Sequence, residues 1–308
     1  MTERPRPVDQ PARQLARGLA RQLADATARL AAAGVPSPRH DAEELAAHLL
    51  GCTRGELVAH EAVDPEVYAA LVQRRAGREP LQHLTGAAYF RHLTLAVGPG
   101  VFLPRPETEL VAGSAIDAAR QVVTTSRRAP AVVDLGAGSG AIALSVATEV
   151  PEAVVHAVEL TAAASCWLNR NRAALPDAVR ARVHLHQADL SAALPEHDGA
   201  VDVVVSNPPY IPPGSLVRDP EVSRYDPPAA LWGSGVDGLD AVRAVERAAG
   251  RLLRPGGVVV VEHADLQGES VPGVFAATGR WRDVRDHLDL AGRPRFVTAY
   301  RGADRPGR

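Results

Sequence analysis

The spacing of hydrophobic positions changes along the chain, and each spacing predicts a different element. Leu15, Leu19, Leu23 and Leu30 recur at helical intervals in a stretch that ends at Gly34. Two more helices are expected: one enters through Ser37 and Pro38 and stops at Gly51, and the next enters through Asp64 and Pro65 and stops at Gly77. A short polar side chain can accept from the free N–H groups of a first turn. Proline is preset for the first helical position, and glycine accepts the left-handed backbone that ends a helix. Around Tyr89 to Val97 the apolar positions alternate, which predicts a hairpin. A further helix is expected from Pro106, with Glu107 and Glu109 in the first turn, where the helix dipole favours negative charge.

After Pro130, short apolar runs alternate with helical stretches. In order these are "AVVDLG", the helix of "SGAIALSVATEV", "AVVHAVEL", the helix of "TAAASCWLNRNRAAL", "RVHLHQ", "VDVVVSN", a helix from Leu239 to Leu253, and "GGVVVVEH". Such alternation implies a mostly parallel sheet covered on both faces. The last runs, "WRDVRDHL" and "RPRFVTAYR", are joined only by "DLAGRP", so they are expected to pair antiparallel and close one edge. The predicted class is α/β, with a flexible tail over 1–11, a helical domain over 12–85, a hairpin connector over 86–105, the α/β domain over 106–303 and a tail over 304–308.

Composition narrows the chemistry. With 46% hydrophobic residues in 308, the chain can bury one large core and a smaller one. All 34 basic residues are Arg, so a lysine Schiff base, a P-loop lysine and a lysine general base are excluded. A formal net charge of -2 gives no global pull toward a polyanion, and no stable nucleic-acid binding is expected. Cys52 and Cys166 lie far apart with no second ligand at metal spacing, which argues against a zinc site, a disulfide framework or any other metal and fits a reducing cytosol. No apolar run approaches the roughly 20 residues that a bilayer crossing needs, so a cytoplasmic protein without membrane contact is expected. The Arg- and Ala-rich opening has the composition of a transit peptide, but its helical leucine spacing favours an ordinary amphipathic helix.

"VVDLGAGSGAIAL" runs from an apolar strand through Gly136, Ala137, Gly138, Ser139 and Gly140 into a helix. Glycines there let the backbone pass close to a ligand at a helix N-terminus. A tight turn is the alternative. Gly136, Gly138 and Ala141 satisfy a dinucleotide-type pattern, and Glu159 follows at the distance expected for an acid that binds ribose hydroxyls; capping the helix that starts at Thr161 is the alternative, which the strand-end position disfavours. Asp134, at the strand tip, is poorly placed for a pyrophosphate and well placed for the cationic amine of S-adenosylmethionine. Asp189, in "HQADL", could accept from an adenine amino group or cap a helix.

"DVVVSNPPYIPP" supplies the reaction site. Ligands of open α/β sheets bind beyond the carboxyl ends of the strands, so Asn207 should lie beside the cofactor. Pro208 and Pro209 offer carbonyl acceptors without N–H donors. A planar NH2 group could then be held by the Asn207 oxygen and the Pro208 carbonyl, with Tyr210 providing a flat face. This suits methylation of a weakly nucleophilic amide or exocyclic nitrogen, through positioning and fixed dipoles and without a strong base.

At these residues the sequence resembles the S-adenosylmethionine-dependent amino-methyltransferases, and more closely the HemK/PrmC release-factor glutamine methyltransferases. The likeness spans about residues 20 to 301 through "REPLQHLTGAAYF", "GVFLPRPETELV", "VVDLGAGSGAIAL", "SNPPYIP", "DPPAALWGSGVDGLDAVR" and "LLRPGGVVVVEHADLQG". "NPPY" alone is shared with DNA adenine methyltransferases, whereas "PRPETE" beside a helical N-terminal domain is more specific.

The resemblance implies a Rossmann-like, seven-stranded methyltransferase fold and methylation of the glutamine in the Gly-Gly-Gln loop of peptide-chain release factors. S-adenosylhomocysteine would be the product. It implies that Asn207, Pro208 and Tyr210 bind the glutamine amide and that Gly136 to Gly140, Glu159, Asp189 and Leu190 bind the cofactor. Phe102 is a candidate apolar wall of the glutamine pocket, and Arg105 is expected to flank a helix at the surface. Glu159 stands where the family often has Asp, and Leu190 where an aromatic residue sometimes lies near the adenine. A monomer is expected. The alternatives are a DNA or RNA adenine amino-methyltransferase, for which no target-reading domain is evident, and a catalytically silent cofactor-binding partner of the translation machinery.

Overall fold

The computed structural model describes residues 10–217 and 219–303, with only the backbone for residues 10–17. Of the tail expected over 1–11, residues 1–9 lie outside the described residues, as do the tail over 304–308 and the Leu15 side chain, whereas Gln10 and Pro11 already belong to the first helix. The chain divides into two compact units. One holds the N-terminal residues up to Gly86 and the segment ending at Tyr225; the other holds Ala87–Val217 and the residues from Asp226 onward.

In the first unit, α1 (Gln10–Ala32), α2 (Pro38–Leu50), α3 (Pro65–Ala76) and α4 (Leu81–Thr85) enclose a core that includes Leu30, Leu45, Tyr68 and Val72. The helix ends follow the local chemistry. Asp64 Oδ1 accepts from the N–H groups of Glu66 (2.9 Å) and Val67 (3.0 Å), and a cap of this kind stabilises a helix by about 1 kcal/mol. Gly51 ends α2 at φ 65°, whereas Ser37 makes no side-chain cap bond. Arg75 is 3% exposed, yet its guanidinium donates to Asp41 (2.7 Å) and to Glu221 (2.8 Å) of the short helix Pro220–Tyr225. A charge this deep needs both carboxylates.

The second unit opens with the hairpin β1 (Ala87–Phe90) and β2 (Leu93–Ala96), followed by α5 (Thr108–Ser126). The helix expected from Pro106 begins two residues later, because residues 105–110 form successive tight turns, with Thr108 N–H on the Arg105 carbonyl and Glu109 N–H on that of Pro106. The sheet strands are β3 (Ala131–Leu135), β4 (Val154–Glu159), β5 (Val183–Gln187), β6 (Val201–Ser206), β7 (Leu253–Glu262), β8 (Trp281–Leu288) and β9 (Pro294–Arg301). Their spatial order is β5-β4-β3-β6-β7-β9-β8; the first five run parallel, and β9 and β8 add antiparallel. This is the mostly parallel, seven-stranded sheet with an antiparallel edge that the alternation of elements predicts.

Both faces are covered. Val203 and Val205 pack with Ile116 of α5 and Leu144 of α6 (Ala141–Glu149), and Val204 packs on the other face with Val242 and Val245 of the helix Asp240–Leu252. A strand buried on both sides reads as a continuous apolar run, and burying each valine stabilises by about 1.5–3 kcal/mol. The acidic exception, Asp202, is 1% exposed. Burial alone would raise its carboxyl pKa, but hydrogen bonds from Arg128, the Ala131 N–H and Arg254 outweigh it and hold the group below the ordinary range.

Strand order reverses at β3, whose neighbours are β4 and β6. A crevice forms at such a switch point. Leu135 pairs with Ser206, so Gly136 and Asn207 leave the sheet side by side. Ser206 Oγ donates to the Leu135 carbonyl (2.6 Å), which ties the two strand tips together. No helix among the described residues is long and apolar enough to cross a membrane.

Candidate active site

A cavity of about 660 Å³ opens at these strand tips, with Asp134, Gly136, Gly138, Glu159, Asp189 and Asn207 in its lining. Ala137, Ser139, Leu190, Phe102 and Pro209 also line it; Gly140, Pro208 and Tyr210 do not.

The glycine turn is held by the strands beside it. Gly136 and Ala137 both donate to the Val158 carbonyl (2.9 Å each), and Gly138 donates to Glu159 Oε2 (2.9 Å). Three N–H groups are therefore already used, and what the turn offers a ligand is close approach of backbone. Gly140 lies behind the cavity at φ 90°, where a Cβ would meet Leu168 Cδ1 at 2.6 Å and Leu144 Cδ1 at 2.9 Å. Only glycine can start α6 there. Asn171 of α7 (Ala162–Ala173), buried and not foreseen from the sequence, donates from Nδ2 to the Ser139 carbonyl (2.9 Å) and fixes the turn from outside.

The acidic residues differ in what remains unsatisfied. Asp134 is 1% exposed; Oδ2 accepts from the Ala143 N–H (3.0 Å), and Oδ1 has no hydrogen-bond partner. Burial pushes this carboxyl up to about 7, with the Ala143 N–H opposing the rise and the Glu159 charge adding to it. Glu159, also buried, spends Oε2 on Gly138 and Oε1 on the Thr161 N–H (2.8 Å) and hydroxyl (3.0 Å), so it braces the turn against the start of α7. Asp189 closes a local turn instead of capping a helix: Oδ1 accepts from the Ser191 hydroxyl (2.7 Å) and N–H (2.8 Å), which lowers its pKa.

Asn207 is half-buried beyond the tip of β6, and its Nδ2 donates to Thr108 Oγ1 (3.3 Å), which leaves Oδ1 as the available end of the amide. The following loop is clasped by the segment 231–238. Ile211 donates to the Leu231 carbonyl and Gly233 to the Ile211 carbonyl (2.9 Å each). A Cβ on Gly233 would press on the Gly238 carbonyl and come within 2.7 Å of the Pro209 oxygen and 2.8 Å of Tyr210 Cα. The Tyr210 phenol points to Glu262 Oε1 (3.5 Å) and its carbonyl accepts from Gln267 (2.9 Å). Burial, with Glu262 adding, raises the phenol pKa well above its ordinary value, so it stays a donor.

Phe102 lies half-buried in the wall, and the Arg105 guanidinium sits 5.0 Å from its ring centroid. Arg105 also pairs with Asp226 at 2.5 Å, which makes it part of the packing around the cavity. Thr108, Trp232, Ser234 and Asp240 also line the cavity and were not singled out as site residues. Their signal lay in "PRPETE" and "DPPAALWGSGVDGLDAVR", motifs read for family likeness without a role for each residue. No group of three or more His, Cys, Asp or Glu among the described residues is arranged to hold a metal ion.

Residues 22–86 match the PrmC N-terminal domain and residues 95–217 the methyltransferase small domain. The chain is 56% identical, over 91% of its length and 97% of the relative's, to a release factor glutamine methyltransferase of Streptomyces coelicolor. It is 50% identical to one of Mycolicibacterium smegmatis, covering 90% of this chain and 95% of that one. A third relative, the 4-amino-L-phenylalanine/4-methylamino-L-phenylalanine methyltransferase of Streptomyces pristinaespiralis, is 44% identical over 85% of this chain and 89% of its own.

Proposed function

The chain belongs to the release factor glutamine methyltransferase family, and we propose that it methylates the glutamine side-chain amide in the Gly-Gly-Gln loop of peptide-chain release factors, with S-adenosylmethionine as the methyl donor. The observation that carries this reading is a single cavity walled by both the Asp134 carboxyl and the Asn207 amide.

The fit to the donor rests on Asp134. A buried carboxyl oxygen without a partner is costly, and a cationic amine is the group that would satisfy it and draw its raised pKa down. Glu159 would hold ribose hydroxyls, Asp189 and Leu190 would border the adenine, and Gly136 to Ser139 would form the close backbone wall. Gly140 serves by letting α6 begin where it does. When bound, S-adenosylmethionine supplies an electrophilic methyl carbon and leaves as S-adenosylhomocysteine.

The chain's own residues present the nucleophile. An amide nitrogen is weakly nucleophilic because its lone pair is shared with the carbonyl. Asn207 Oδ1 accepts one of its hydrogens, which orients the nitrogen and favours the positive charge that develops on it, while Pro208, buried and outside the cavity lining, shapes the loop. Pro209 and Phe102 exclude water beside it, and Tyr210 anchors the loop through its phenol. These dipoles are set before the acceptor arrives, so no side chain has to remove a proton first. In this reading the chain works as a monomer in the cytoplasm, on a protein acceptor.

The test is incubation with labelled S-adenosylmethionine and, separately, a release factor, its loop Gln→Ala variant, adenine-containing oligonucleotides and 4-amino-L-phenylalanine. Label on the unaltered release factor alone supports the proposal. Label on the Gln→Ala variant, the oligonucleotides or the free amine in its place, or on nothing, overturns it.

A further inference from the structure

Two stretches of chain wall the cavity beside Asn207, and each is tied to the loop that carries it. On one side, residues 102–108 bring Phe102, Pro104 and Thr108 into the lining. Thr108 Oγ1 accepts from Asn207 Nδ2 (3.3 Å), and the Thr108 N–H donates to the Arg105 carbonyl (3.1 Å), so this stretch is anchored next to the amide. On the other side, residues 227–230 bring in Pro227, Ala229 and Ala230. Just beyond them the Leu231 carbonyl accepts from the Ile211 N–H (2.9 Å), and Trp232 pairs with Ile211 in a parallel bridge. The second stretch is thereby anchored to the same loop, four residues past Asn207.

Arg105 joins the two walls. Its Nη2 donates to Asp226 Oδ2 at 2.5 Å, across 121 positions of sequence, and the Asp226 side chain is 1% exposed. The same guanidinium lies 5.0 Å from the Phe102 ring centroid. A guanidinium can serve both partners at once, because it donates in its plane and presents a face to an aromatic ring. A carboxylate this deep is costly without its cation, so the pair resists opening. Phe102, Pro104, Pro227, Ala229 and Ala230 are apolar and have no side-chain group that could bond across the gap.

We infer that Arg105 is a positioning residue for the acceptor: through Asp226 and the Phe102 ring it fixes the separation of the two walls between which the acceptor side chain lies, and with it the angle at which the amide meets Asn207 Oδ1. This rests on the function proposed above and adds Arg105 and Asp226 to it. The stem of a glutamine is two methylene groups, apolar and free to rotate, so walls that do not yield are what align it. With the pair broken, each wall is still tied to the Asn207 loop but not to the other, and the nitrogen approaches the methyl carbon over a spread of angles. The glycine turn at the donor end is held separately, by the Val158 carbonyl, Glu159 and Asn171, and is not affected.

The experiment is a double-mutant cycle. Arg105→Gln, Asp226→Asn and the double variant are compared with the wild type in methyl transfer from labelled S-adenosylmethionine to a release factor, with S-adenosylhomocysteine affinity by calorimetry and melting temperature measured alongside. Each single change should lower kcat/KM for the release factor on the order of 10- to 100-fold at unchanged S-adenosylhomocysteine affinity. The double variant should be no worse than the worse single one, because the two residues act as a unit. Arg105→Lys, which keeps the charge, should recover part of the loss. Arg105→Gln strands a buried carboxylate and the double variant does not, so the double variant should melt closer to the wild type while its kcat/KM stays low. A double variant with wild-type kcat/KM, losses that simply add, or S-adenosylhomocysteine affinity that falls in step with kcat/KM overturns the inference. If the wild type labels 4-amino-L-phenylalanine and no release factor, the substrate reading alone has failed; equal kcat/KM of wild type and double variant on that amine would then overturn the clamp.

Discussion

Asp134 and Ala143 are joined by one hydrogen bond, from the Ala143 N–H to Oδ2 at 3.0 Å, and this bond leaves the other oxygen of a buried carboxyl without a partner. The arrangement favours the protonated acid. Because burial raises the folded pKa from 3.8 to about 7, this group's contribution to stability is full below 3.8 and is lost as pH rises through about 7.

A cationic amine beside Asp134 reverses that preference, so donor binding near neutral pH should release a proton. Calorimetric titration of S-adenosylmethionine in buffers of different ionisation enthalpy should give an apparent enthalpy that depends on the buffer for the wild type and not for Asp134→Asn. The same buffer dependence in both proteins would exclude Asp134 as the amine's partner.

Glu159 braces Gly138 and Thr161 and is proposed to hold ribose hydroxyls. Hydrogen bonds to a charged group contribute about 1.5–3 kcal/mol, so Glu159→Ala should weaken S-adenosylmethionine binding by roughly 10- to 100-fold. An unchanged dissociation constant would overturn the ribose assignment.

A separate cluster governs acid stability. The His156 ring lies 5.0 Å from His184, 5.3 Å from His186 and 4.3 Å from His197, centroid to centroid, and its Nδ1 is 3.1 Å from His186 Nε2. Burial first, then the His197, His184 and His186 charges, push His156 down to about 4 from 6.5, against a small opposing pull from Glu196. The folded state then binds fewer protons than the unfolded one, so this contribution is full above 6.5 and is lost as pH falls toward 4. Asp134 and Glu262, whose carboxyl pKa values burial raises to about 7, act with the opposite sign in an overlapping window, which comparison with a variant cancels. His156→Gln should lose less melting temperature than the wild type between neutral and mildly acidic pH. Parallel curves would remove the cluster from the explanation.

The fold was legible because its signals are local. Valines at 203–205 announce a strand buried on both faces, and Gly51 and Asp64 mark helix ends through chemistry confined to one turn. The helix start at Thr108 was misread by two residues because Pro106 and Glu107 sit in tight turns that have the same composition as a first helical turn. The short helices Arg54–Ala59, Pro220–Tyr225 and Pro228–Leu231 carry too few residues for a period to emerge.

At the site, Asp134 and Asn207 were legible from their places at strand tips. What joins Thr108 to Asn207 was not: these residues are 99 positions apart, and only the packing of α5 against the sheet brings them together. Nor could the sequence tell that Tyr210 is anchored by Glu262, because a tyrosine in a loop reads equally well as a binding face or as a tether.

The account turns on the Asn207 oxygen as the acceptor for the substrate amide. Asn207→Ala, measured in a single turnover with labelled S-adenosylmethionine and a saturating release factor, tests it most directly. Loss of one preorganised polar contact at a reacting centre costs on the order of 100-fold or more in rate, and the account predicts a loss of that size with S-adenosylhomocysteine affinity unchanged. A variant that transfers the methyl group at the wild-type rate would contradict it.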